Sequence, residues 1–196
     1  MNMAKKLKYL VIHCTATHAG QEVEAKTIEQ WHMGPCDLPN GRVLYKGKEY
    51  ARRSLLPQEK VGGVDIINLK GRGWSRTGYS CMIHLNGLIQ VLNHFNDDAV
   101  VDEWEITNGV AGINSVSRHI VYVGGLEKDS TTPADTRTPS QRTSLELFVK
   151  EKVLDWPDIL IAGHHQFDPG KACPSFDVPA WCASIGIPSR NIYLHK

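Results

Sequence analysis

Tyr79-Ser80-Cys81-Met82-Ile83-His84-Leu85-Asn86-Gly87-Leu88-Ile89-Gln90-Val91-Leu92 carries the clearest local signal in the chain. Two apolar-rich runs flank Asn86-Gly87, a dipeptide suited to a turn with positive φ at both central residues, so a β-hairpin with a type I′ turn is predicted. Alternation puts Tyr79, Cys81, Ile83 and Leu85 on one face. Around the hairpin, strand-like and helix-like runs alternate irregularly. Lys8 to His13, His119 to Gly125 and Ile159 to Ala162 read as buried strands by length and apolar content. Ala25 to Met33 has Ala25, Ile28, Trp31 and His32 at helical spacing, with Trp31 expected in the core, and Gly34-Pro35 ends it. Thr138-Pro139-Ser140-Gln141 supplies an N-cap, a first-turn proline and a capping-box glutamine. The helix it opens has Leu145, Phe148, Val149 and Val153 as its buried stripe, and Asp177 can cap a short helix that stops at Gly186. The pattern predicts an α/β fold: a single domain with a central mixed β-sheet flanked by helices.

Two stretches are less patterned. Residues near 36 to 76 read as an insertion elaborating a domain that spans 1 to 196, with a small hairpin turning at Lys46-Gly47. Its Tyr45, Tyr50, Arg52, Arg53, Arg72 and Trp74 suit the wall of a binding groove as well as a solvated elaboration. Asn93 to Ser117 reads as loop, with Trp104 inside it.

Composition narrows the function. With 22 Lys+Arg against 21 Asp+Glu, the chain lacks the charge excess of nucleic-acid or anionic-membrane binders. No apolar run has the length of a membrane span. Lys5-Lys6 precedes only a short apolar run, Tyr9 to Ile12, too brief for a secretory signal, so synthesis in the cytoplasm without a signal peptide is expected. Five cysteines without framework spacing argue against a disulfide scaffold.

The chemistry is concentrated in Gly163-His164-His165-Gln166-Phe167-Asp168-Pro169-Gly170-Lys171-Ala172-Cys173-Pro174-Ser175-Phe176-Asp177. Imidazole and thiolate are zinc ligands, and hydrolytic zinc needs three protein ligands and an open position. If the strand before them continues, His164 and His165 face opposite sides, so one of the pair is expected to be a ligand. Lys171 and Cys173, two apart, share a face if that segment is extended. A third ligand must come from elsewhere, and His13, at the end of the first strand, is the best-placed candidate. A lone cysteine is usually a small buried hydrophobe.

Four segments resemble the phage-type N-acetylmuramoyl-L-alanine amidases, whose fold is shared with the peptidoglycan recognition proteins. They are Ile12-His13-Cys14-Thr15-Ala16-Thr17, Gly78-Tyr79, Asn114-Ser115-Val116-Ser117 running into Val121-Tyr122-Val123-Gly124-Gly125, and Lys171-Ala172-Cys173-Pro174-Ser175-Phe176-Asp177. The resemblance implies Zn2+ held by His13, His164 and Cys173, with Tyr79 and Lys171 assisting catalysis. It implies hydrolysis of the amide between N-acetylmuramic acid and L-alanine in peptidoglycan or a muropeptide, by a monomer that acts on the cell wall after release. A cytoplasmic wall-recycling amidase and a non-catalytic peptidoglycan-binding module are the alternatives. The chain departs from the family at the insertion and at Asn108-Gly109, where many members carry a histidine ahead of the Asn-Ser segment. That departure leaves one implied substrate contact without its residue.

Overall fold

The computed structural model describes residues 4–55 and 59–194. The chain forms two compact units: one combines the chain up to Glu22 with the chain from Tyr79 onward, and the other is Val23–Gly78. Helices α1 (Ala25–Met33), α2 (Pro139–Asp155) and α3 (Val178–Ser184) are set among short strands. None of the described helices is long and apolar enough to cross a membrane.

The larger unit is built on a five-stranded sheet of β1 (Tyr9–Cys14), β2 (Cys81–Ile83), β3 (Ile89–Val91), β4 (Ser117–Tyr122) and β5 (Leu160–Gly163), in the order β3-β2-β4-β1-β5. β2, β4, β1 and β5 run parallel, and β3 alone is antiparallel, so the sheet is mixed. Parallel strands need long crossovers, and the two longest helices of this unit fill that role or follow it. α2 begins where expected: Thr138 Oγ1 accepts from Gln141 N–H at 3.1 Å, and Gln141 Oε1 accepts from Thr138 N–H at 2.9 Å. α3 begins at Asp177, whose carboxylate accepts from Ala180 N–H.

One face of the sheet is the main core. Leu10, Ile12, Cys81, Ile83, Ile120, Tyr122 and Ile161 pack there with Leu145 and Val149 of α2 and Val178 and Cys182 of α3. Each such side chain contributes roughly 1.5–3 kcal/mol by leaving water. The buried line of α2 differs from its apolar stripe. Phe148 and Val153 are only partly buried, whereas Gln141 and Lys152 are buried. Gln141 Nε2 is satisfied by the carbonyls of Ile83 and Val123, and Lys152 Nζ by Asp97, Glu151 and Asp155.

The hairpin exists, but its turn is not type I′. Ile83 pairs with Ile89, and Gly87 N–H donates to His84 C=O, which leaves Leu85, Asn86 and Gly87 in a three-residue loop. Only Gly87 of these has positive φ, +86°, as in a type I turn followed by a left-handed glycine. Tyr79 lies ahead of β2 and not within it. The stretch expected to be loop holds a short strand, Val100–Val101, paired with Lys5–Lys6, and Trp104 within it is 51% exposed.

The second unit has its own core of Val43, Tyr45, Leu55, Val61 and Ile66. Its hairpin pairs Tyr45 with Lys48 across Lys46 (φ 48°) and Gly47 (φ 73°), the two positive values a type I′ turn requires. Ile28 and His32, four apart, form the buried line of α1, so Trp31 is left 41% exposed and is not core. Tyr45 is buried with its hydroxyl on Glu59, and Arg52 braces Asp37 and two carbonyls, so both are structural parts of this unit.

His32 is the titratable weak point of the second unit. Burial, and then the Arg72 charge, push its imidazole down to about 4, and its Nδ1 accepts from Gly78 N–H at 3.1 Å. The depressed value means the unfolded chain binds the proton more readily than the folded one. The contribution is therefore intact above the ordinary value of about 6.5 and is lost as pH falls toward 4, an effect of up to about 3 kcal/mol. Chemical denaturation followed through Trp74, whose ring lies 5.0 Å from that of His32, should show wild type losing more stability than His32→Gln between pH 7 and pH 4. Equal losses in the two proteins would contradict this.

Candidate metal and catalytic site

β1 and β5 are adjacent and parallel, with Val11 beside Ala162 and Ile12 beside Gly163. One further step along that register carries His13 to the level of His164. Both histidines thus stand at carboxyl ends of neighbouring parallel strands, where open α/β sheets form binding crevices. β5 stops at Gly163, and His164–Gln166 form a 3-10 turn, so the two histidines do not alternate as they would in a strand. The turn separates them by another route. The His13 and His164 rings are 4.8 Å apart, whereas His165 Nδ1 lies 3.2 Å from the Cys173 carbonyl.

Cys173 arrives on a loop tied down at several points. Asp168 N–H donates to His164 C=O, Lys171 N–H to Asp168 C=O, and Ser175 N–H to Ala172 C=O. Tyr122 Oη donates to Pro174 C=O at 2.6 Å, and the Arg137 guanidinium lies 3.3 Å over the Phe176 ring. Arg137 is itself held by a two-pronged pair with Asp135 at 2.8 and 2.9 Å. Gly125 makes room alongside: a Cβ there would stand 2.4 Å from Cys14 Sγ, and its φ of +105° suits glycine alone. Turns at 169–170 and 173–174 leave only Lys171-Ala172 between them and no strand there, and the two side chains differ in setting: Lys171 is exposed and Cys173 half-buried.

The result is that single ligand atoms of His13, His164 and Cys173 all lie within 4.8 Å of one another. His13 Nδ1 is 3.7 Å from Cys173 Sγ, and Cys14 N–H donates to that sulfur at 3.3 Å. The Tyr79 ring is 5.2 Å from the His13 ring. The other candidate group among the described residues, Asp97, Glu151 and Asp155, surrounds the Lys152 ammonium, and all three carboxylates pair with it. A cleft of about 770 Å³ is lined by His165, Lys171, Phe176 and Asp177 but takes in none of the three clustered ligand residues. The donor cluster, and not that cleft, gathers the metal-ligating atoms.

Burial holds the His164 imidazole below its ordinary range, with the Lys171 charge adding to this against Asp168, so the ring stays neutral and able to donate a lone pair. The Cys14 and Cys173 thiols share one ionisation. The hydrogen bond from Cys173 brings Cys14 down to about 7, and the same contact together with burial pushes Cys173 up. A cation beside Cys173 reverses that preference, because it favours the thiolate it touches. His119, 0% exposed, is pushed down to about 3 by burial and then by His164.

Sequence reading gave no role to His119, Tyr122 or Arg137. Alternation along β4 was a usable signal for His119, since it sets that residue on the face of Val121.

No family model matches the chain. An endolysin from Enterobacteria phage K11 is 27% identical over 170 residues, covering 87% of this chain and 82% of the relative. The N-acetylmuramoyl-L-alanine amidase LysC from Clostridium intestinale URNW superposes with a TM-score of 0.56 at 16% identity, over 94% of this chain and 88% of that one. A peptidoglycan recognition protein, PGRP-LE in complex with tracheal cytotoxin, a monomeric diaminopimelic acid-type peptidoglycan, gives 0.52 at 15% identity over 88% and 77%. The fold is that of the amidases and peptidoglycan recognition proteins. Within that class, the chain is similar in sequence to phage endolysins.

Tyr122→Phe removes the donor to a buried carbonyl at the Cys173 loop and should cost about 1–2 kcal/mol of unfolding free energy. Urea denaturation of the two proteins measures this, and an unchanged midpoint would show that the loop is held without that bond.

Proposed function

We propose that this chain is a zinc-dependent N-acetylmuramoyl-L-alanine amidase acting as a phage-type endolysin on peptidoglycan. The observation that carries the reading is the convergence of His13, His164 and Cys173, on a fold shared with such amidases. The donor set suits zinc: two imidazoles and a thiol, leaving a fourth position for water. Bond lengths of about 2.0 Å to nitrogen and about 2.3 Å to sulfur put two tetrahedral ligand atoms about 3.5 Å apart. His13 Nδ1 and Cys173 Sγ are 3.7 Å apart, close to that spacing.

When bound, zinc supplies a water of lowered pKa and polarises the scissile carbonyl. The residues around it do the rest. Attack forms a C–O bond at the lactyl carbonyl, the C–N bond to L-alanine breaks, and the water's proton ends on the departing amine. Negative charge gathers on the carbonyl oxygen in between, and the exposed Lys171 ammonium is available to stabilise it. The Lys171 charge reaches both His164 and Cys173. Tyr79, beside His13, can donate a hydrogen bond to the water or the developing oxyanion. The five described cysteines are free, so the Cys173 thiol is available as a ligand.

Digestion of purified peptidoglycan should release stem peptides with a new L-alanine amino group and leave glycan strands without new reducing ends. Lys171→Ala should lower kcat by on the order of 10²-fold with zinc content unchanged, the scale for losing an oxyanion stabiliser. Mass analysis of the products checks the bond, and new reducing sugars would overturn the reading in favour of a glycosidase.

A further inference from the structure

His13 has two ring nitrogens and both are engaged. Nδ1 faces Cys173 Sγ, and Nε2 lies 3.0 Å from His119 Nδ1. A neutral imidazole carries its proton on one nitrogen only, so Nδ1 can offer a lone pair to a metal only while Nε2 carries the proton. A proton on Nε2 inside the protein needs an acceptor, and the atom set opposite it is His119 Nδ1. His119 comes from β4, where it pairs with Val11 on the same sheet face as His13. Its ring has no other hydrogen bond among the described residues: Nε2 is buried and unpartnered. A buried imidazole with one bond, in a strand buried along its whole length, is a poor choice for packing alone.

The fold also gives way to accommodate it. A Cβ on Gly109 would stand 2.3 Å from His119 Nδ1 and 2.4 Å from its Cγ, so only glycine fits against that ring. This accounts physically for Gly109 in the Asn108-Gly109 departure noted above.

We infer that His119 is the positioning residue for His13, its Nδ1 accepting the His13 Nε2 proton so that the His13 Nδ1 lone pair is presented to the metal. The inference rests on the zinc reading above. Partners behind a metal-bound histidine are usually carboxylates, carbonyls or water, and they fix its tautomer and orientation. Here a second imidazole does so, without adding charge to a cavity that already holds a thiolate.

The test measures zinc affinity of the full chain by competition with a chromophoric chelator, alongside the thermal midpoint of each zinc-free protein. His119→Asn keeps an acceptor where Nδ1 stood, and His119→Leu keeps bulk but no acceptor. Wild type should bind one zinc. The Leu variant should bind roughly 10–100-fold more weakly, the usual effect of losing such a partner, while the Asn variant stays within a few-fold of wild type. The zinc-free midpoints of the two variants should fall by similar amounts. Equal affinity of wild type and the Leu variant, or equal losses in the Leu and Asn variants, would overturn the inference. If the Leu variant does not fold, Gly109→Ala decides, because its Cβ must displace the His119 ring; weakened zinc binding supports the inference and unchanged binding overturns it. A wild type that binds no zinc would overturn the metal reading and this inference with it, a result distinct from failure in the variants alone.

Discussion

The pairing of β1 with β5 is the constraint on which the site depends. Its parallel register sets Ile12 beside Gly163, and so delivers His13 and His164 to the same level at the carboxyl ends of neighbouring strands. A slip of one residue would turn every side chain of β1 to the opposite face. Leu10 and Ile12 would leave the α2–α3 core, and His13 would enter it. The hydrophobic core therefore fixes the register, and the register fixes the histidines. Stability and chemistry are not independent in this sheet.

The third corner of the cluster is secured differently. Cys173 lies on turns, where no ladder holds it, and the fold compensates with Tyr122 on the Pro174 carbonyl and Arg137 over Phe176. Tyr122 belongs to β4 and Arg137 to the approach to α2, so the elements that build the core also brace the loop. Cys14 links the two systems. It ends β1, and its N–H points at the Cys173 sulfur.

Much of this was legible in the sequence where local rules decide. The α2 start was readable because the cap, the proline and the glutamine all satisfy the same orphan backbone groups. The mixed sheet followed from one hairpin among alternating strands and helices. Local signals misled where two geometries share a signature: Asn86-Gly87 fits a type I′ turn, yet its glycine serves a three-residue loop, and the type I′ turn is at Lys46-Gly47. Val100–Val101 was invisible because its strand character comes from Lys5–Lys6, almost a hundred residues away in sequence. Buried Gln141 and Lys152 were unreadable for a similar reason, since only their partners make burial tolerable. At the site, two strand-end histidines could be seen from apolar runs, but joining them to Cys173 took a family resemblance. His119 lay in plain view at the head of the strand expected over His119 to Gly125, and only the sheet register shows that it faces His13.

The central claim is that one metal is held jointly by two neighbouring strands and a braced loop. X-ray absorption at the zinc edge, on the zinc-loaded full chain, measures that coordination directly. The account predicts two imidazole nitrogens at about 2.0–2.1 Å and one sulfur at about 2.3 Å, with one further light atom. A shell without sulfur, or with nitrogen from only one histidine, would contradict it.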